Sequence, residues 1–172
     1  MSSTNRIEKR VTLSAPVSRV WRALTDTREF GEWFGVRLTG AFVVGQTVTG
    51  TFDERLSADA VLEFQESLGL TPSPVDIPQA PTVFCAVEAI EPEHYFSFRW
   101  IPFGIDAGVD PATEPTTLVE FTLEPVVGGT QLTIVESGFD QVPAHRRERA
   151  FRMNEAGWSG QAENVKRYVE DL

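Results

Sequence analysis

The chain carries one cysteine, two histidines and no apolar run approaching the roughly 18 residues a membrane-spanning helix needs. A lone cysteine, Cys85, excludes an intrachain disulfide. It sits in the strand-like run Val83-Phe84-Cys85-Ala86-Val87 and reads as a small buried apolar side chain. No cluster of His, Cys and carboxylate has metal-ligand spacing, so no metal is expected and His94 and His145 read as structural. A Ser-centred nucleophile elbow and a phosphate-binding glycine loop are both missing. No cofactor is expected, and no catalytic residue is assigned. Basic residues are scarce: Lys and Arg number 15 against 25 Asp and Glu, a net charge of −10. That field repels a phosphate backbone and anionic membrane surfaces, which excludes nucleic acid as a partner. The opening MSSTNRIEKR has no apolar stretch of the secretory kind, so a cytoplasmic location is expected. There is no internal repeat and no low-complexity tract.

What is present is ordinary in amount and specific in order. With 172 residues, 41% hydrophobic and 23% charged, the chain reads as a single domain over 1–172 with a sizeable core. Ile7, Lys9, Val11 and Leu13 alternate with polar neighbours, which predicts a half-buried strand. Pro16 suits the start of a helix whose Val17, Val20, Trp21 and Leu24 share one face. Asp26 or Thr27 caps a second short helix that carries Phe30, Trp33 and Phe34. Three strand pairs follow: Leu38–Val44 with Val48–Phe52, then 82–91 with 95–101, then 116–126 with 130–137. Phe96, Phe98 and Trp100 share one strand face, and Val119, Phe121 and Leu123 share another. From Pro143 on, Trp158, Ala162, Val165, Val169 and Leu172 recur at helical spacing. Gly157 and Gly160 weaken this helix and mark either a bend or a close approach to the sheet. Residues 55–81 interrupt the pattern as an insertion: a short helix within Asp59–Leu70, then a proline-rich extended stretch.

In an antiparallel meander, connections alternate between the two ends of the sheet. The tight turns Gly45-Gln46, Glu91–His94 and Val127–Gly129 therefore share one end. The long connections 55–81 and 102–115, with the link Gly138–Ala144, share the other. Long loops carry binding residues more often than tight turns do, so a cavity mouth is placed at that end. Glu136 continues the alternation of Leu132 and Ile134 and so points inward there. It is a candidate acid, base or ligand anchor, weighed against a buried ion pair with Arg99 or Arg152.

Several of these segments together resemble a known family. Val11-Thr12-Leu13-Ser14-Ala15-Pro16, then Val20 to Asp26, Phe30 and Trp33-Phe34, are similar to the opening of proteins homologous to the C-terminal domain of the Hsp90 ATPase activator. So are Val87 to Pro92 leading to Phe98-Arg99-Trp100, the run Gly129 to Thr133 with Ser137-Gly138-Phe139, and Gly157-Trp158. The resemblance implies the α+β helix-grip fold of the START-like, or Bet v1-like, superfamily: an antiparallel sheet wrapped around a long C-terminal helix, with a hydrophobic cavity between. The superfamily spans carriers, receptors and cyclases, so fold alone does not fix function. The eukaryotic activator also has a separate N-terminal Hsp90-binding domain. A first strand near Ile7 leaves no room for one, so an Hsp90 interaction is not expected. A homodimer stays open as the oligomeric state.

The favoured reading is a binder of a small hydrophobic molecule in an internal cavity, with Phe34, Phe98, Trp100, Phe121 and Glu136 as candidate lining residues. The aromatics supply apolar area and Glu136 a polar anchor. A cyclase- or hydrolase-like enzyme of the same fold is the first alternative, but it needs at least two convergent polar groups and the sequence offers one. A protein-interaction or stress-response domain using 55–81 is the second.

Overall fold

Why the chain turns where it does is clearest at Asp26. Its backbone N–H closes the first helix on Arg22 O at 2.9 Å, and its carboxylate accepts the Glu29 N–H at 3.0 Å to start the second. In the computed structural model, which describes residues 5–171, the two helices are α1 (Val17–Thr25) and α2 (Thr27–Phe34). Strand β1 (Arg6–Leu13) precedes them and buries Ile7 and Leu13. Val20, Ala23 and Leu24 of α1 are buried, while Val17 and Trp21 sit at the edge of the core. Phe30 and Trp33 of α2 are buried, and the Trp33 indole N–H donates to Ala23 O at 2.9 Å. Gly35 ends α2 in the left-handed region at φ 100°, a conformation that costs a side-chain-bearing residue more than glycine. Gly31 has no room for a side chain, since a Cβ there would stand 2.1 Å from Val36 O.

The sheet has seven strands in the order β1-β7-β6-β5-β4-β3-β2, every neighbouring pair antiparallel. These are β2 (Val36–Thr39), β3 (Thr47–Phe52), β4 (Thr82–Glu91), β5 (Tyr95–Trp100), β6 (Thr117–Val126) and β7 (Gly129–Ser137). The order closes the meander with β1 beside β7, so Glu136 lies opposite Ile7 on one side and Val119 on the other. Register irregularities between Val48 and Thr49 and between Val87 and Ala89 locally increase twist and bend the strands.

One strand is shorter than its sequence suggests. The apolar run Leu38–Val44 predicts a strand to Val44, but β2 stops at Thr39. Gly40 turns at φ 85°, and its carbonyl accepts the Thr27 hydroxyl. Phe42 then turns into the core against Phe30 and Phe96, while Val43 and Val44 are exposed. Burying one large ring outweighs two further strand residues.

Within 55–81, Ser57 caps α3 (Ala58–Ser67) by accepting the Ala60 N–H at 3.1 Å. The proline-rich stretch after it stays extended and meets the sheet-end loop through a bridge between Val75 and Asp106. The last helix, α4 (Ala144–Glu170), is continuous through Gly157 and Gly160, where an added Cβ would meet nothing within 4 Å. Trp158, Ala162, Val165 and Val169 face the sheet. Leu172, expected on the same face, lies outside the described residues. Among the described residues no helix is long and apolar enough to cross a membrane.

Candidate functional site

The centre of the molecule between sheet and helices is filled with aromatic rings. Phe30 meets Phe84, Phe98 and Phe121 edge-on at 5.8, 6.3 and 6.4 Å, and Phe121 meets Trp158 at 5.9 Å. Open space lies beside this cluster, at the end of the sheet with the long loops. There, a pocket of about 910 Å³ is bounded by Phe34, Phe84, Trp100, the 55–81 segment, residues 103–105 and the middle turns of α4. Ala60, Phe64, Gly104 and Pro111 form an exposed rim. Gly157 contributes no side chain to the wall, which leaves that stretch of α4 low.

Beneath the pocket floor, Glu136 gathers four side chains from three elements. One carboxylate oxygen accepts from the Thr117 hydroxyl at 2.6 Å and the Trp100 indole N–H at 2.8 Å. The other accepts from the Trp158 indole N–H at 2.8 Å. The Asn154 amide straddles both at 3.0 and 3.1 Å. Glu136 is fully buried. Burial pushes its carboxyl above the ordinary carboxylate value, while the donors from Thr117, Trp100, Trp158 and Asn154 pull the other way without cancelling the rise. The expected arginine partners are engaged elsewhere: Arg99 with Glu88, and Arg152 with Leu68 O.

The two long loops are fastened over the pocket by one face of α4. The Arg146 guanidinium donates to Glu114 at 2.7 Å and to Pro102 O at 2.7 Å, and stands 3.7 Å from Asp106. Arg149 donates to Gln65 at 2.5 Å, and the Gln65 amide pairs with the Ser73 backbone at 2.9 and 3.0 Å. Arg152 donates to Leu68 O at the carbonyl end of α3, where a cation is favoured. Ser73 and Asp106, 3.1 Å apart, join the two loops to each other.

The five residues singled out from sequence converge, but not on one surface. Phe34 and Trp100 stand on the pocket wall, 5.9 Å apart between ring centroids. Phe98 and Phe121 lie behind Trp100 in the packed cluster, fully buried, rather than on the lining. Glu136 lies behind the two indoles, with both oxygens occupied by protein donors. The pocket also meets α4 at Met153–Gln161, past its first turn, while the start of the helix holds the 102–115 loop. His94 and His145 are exposed, in the β4–β5 turn and the first turn of α4. Cys85 is buried, which pushes its thiol up to about 12.

Sequence reasoning missed Asn154, Glu114, Arg146 and Arg149, and offered Arg152 to Glu136 where the structure gives it to Leu68 O. Two signals were available. Asn154 is four residues before Trp158 and so shares its helix face. The arginines recur at intervals of three, which stacks them along one side of α4.

A family profile described as Activator of Hsp90 ATPase homolog 1-like protein matches residues 14–170. Among solved structures, a protein of Mesorhizobium loti has a TM-score of 0.66 at 24% identity, over 97% of this chain and 98% of its own. The Aha1 dimer from Colwellia psychrerythraea has a TM-score of 0.62 at 17% identity, over 96% of each chain. A protein of the dynemicin biosynthetic locus has a TM-score of 0.63 at 23% identity, over 96% of this chain and 47% of that one. At these identities the likeness is one of fold. No curated protein matches.

Proposed function

We propose that this chain, which belongs to the family of Activator of Hsp90 ATPase homolog 1-like proteins, binds a small apolar molecule in the pocket under its two long loops. The observation that carries this reading is the pocket itself. Its volume of about 910 Å³ lies at the upper end of the roughly 300–1,000 Å³ common for small-molecule sites. Its walls are mainly aromatic and aliphatic, as such sites require. The roof is built from the connections 55–81 and 102–115, held in place by Arg146, Arg149 and Arg152.

An enzymatic role has less support. A general base needs a free oxygen facing the reacting atom. Glu136 has both oxygens bound to protein donors and lies behind the indoles. Using it would mean breaking a buried network. A homodimer remains a proposal; the Aha1 dimer shares this fold.

The test is native mass spectrometry of freshly purified protein, followed by titration with fatty acids and polycyclic aromatics while reading tryptophan fluorescence. Saturable binding that is lost in Ala60→Trp, which blocks the rim, and kept in His94→Ala, at the opposite end of the sheet, supports the site. No binding across the panel removes it.

A further inference from the structure

Two polar side chains at the pocket have an acceptor oxygen left over. Asn154 lines the pocket, and its Nδ2 is committed to Glu136. A carboxylate offers oxygens to a donor, so the amide is oriented with Nδ2 toward Glu136 and Oδ1 on the opposite side. Among the described residues, that Oδ1 accepts from no protein donor. Glu114 also lines the pocket, and only its Oε2 is used, by Arg146.

Most donors near the pocket are engaged, although Arg99 uses only its Nε and the Gln161 amide only one bond. Both indole N–H groups go to Glu136, and the Gln161 amide N–H goes to Phe34 O at 3.0 Å. The Arg146 guanidinium is taken up by Glu114, Pro102 O and Asp106. Arg99 pairs with Glu88. The hydroxyls of Thr82 and Thr116 serve either role and so do not discriminate.

Building on the reading of this pocket as a small-molecule site, we propose that its occupant is an uncharged aromatic molecule bearing a hydrogen-bond donor, such as a phenol. The donor is given to Asn154 Oδ1. The rings lie against Phe34, Phe84, Trp100 and Trp158, whose faces and edges suit aromatic contacts. Carboxylates are disfavoured by the Glu114 charge, and the Arg99 charge on the wall is already faced by Glu88. Glu136 then acts as a positioning residue, since it sets which end of the Asn154 amide the ligand meets.

A matched set of fluorescent probes tests this: hydroxypyrene, methoxypyrene and pyrene carboxylate, titrated at neutral pH into the full chain. The hydroxyl compound is expected to bind roughly 3- to 10-fold tighter than the methoxy compound, the worth of one net hydrogen bond. The carboxylate is expected to bind weakest. In Asn154→Leu the hydroxyl compound falls to the level of the methoxy compound, whose own binding reports that the pocket is still formed. If that variant does not fold, the wild-type comparison of the matched pair decides. Equal binding of hydroxyl and methoxy probes, or preference for the carboxylate, overturns the donor assignment and leaves the pocket reading standing. Failure of all three probes overturns the pocket reading and this inference with it.

Discussion

Trp100 and Trp158 lie with their rings 29° from parallel and 5.6 Å apart, and they donate their indole N–H groups to opposite oxygens of Glu136. One residue ends a strand and the other lies in the middle of the last helix. The carboxylate between them joins sheet to helix at the base of the pocket.

Replacing Glu136 by Gln removes one acceptor oxygen from this site. Whichever way the amide turns, an indole N–H or the Asn154 amide loses its partner. Leaving a buried donor unsatisfied costs about 1–3 kcal/mol. Urea denaturation is expected to show that loss, and an unchanged midpoint would mean the network contributes nothing.

The same pair of proteins reveals the pH dependence. The folded Glu136 carboxyl binds its proton more tightly than the unfolded one. That contribution is therefore fully present below the ordinary glutamate value of about 4.3 and is lost as pH rises through the raised folded value. The advantage of wild type over Glu136→Gln is expected to be largest in acid and to shrink toward neutral pH. Taking the difference cancels carboxylates such as Glu29, whose net shift is downward: burial raises it, and Arg19 lowers it further. An advantage that grows with pH would reverse the assignment.

Trp158→Ala is expected to destabilise by about 3–5 kcal/mol, through a void next to Phe121 and Trp100. Chemical denaturation measures it. A midpoint equal to wild type would place the indole outside the core.

Arg146→Ala leaves Asp106 and Glu114 buried without their cation. Breaking a buried pair from one side costs about 3–5 kcal/mol. Limited proteolysis is expected to cut within 102–115 faster than in wild type. Equal cleavage rates would show that the loop is held by other contacts.

Gly160 is an exposed helical position where an added Cβ meets nothing. Gly160→Ala is expected to stabilise by about 0.5–1 kcal/mol, because Gly pays more backbone entropy than Ala in a helix. A thermal midpoint that falls would indicate that this face of α4 is covered.

The sequence by itself determined the strand pairs, the capped α2, the short α3 and the long amphipathic α4, because each is a local matter of period and capping chemistry. Alternation along a meander also placed the long loops at one end of the sheet, since antiparallel strands permit nothing else. The end of β2 was not legible, because Phe42 leaves the strand for rings contributed by Phe30 on α2 and Phe96 on β5. Nor was the division of Phe34, Phe98, Trp100, Phe121 and Glu136 between wall and interior. Alternation gives the four strand residues the same inward direction, but only the packing of the helices against the sheet decides which ring is covered by another. Glu136 shows the limit most plainly. Its inward aim follows from the period of β7. That its charge is met by two indoles, a hydroxyl and an amide instead of an arginine depends on residues 18 to 36 positions away in the chain, brought together by the fold.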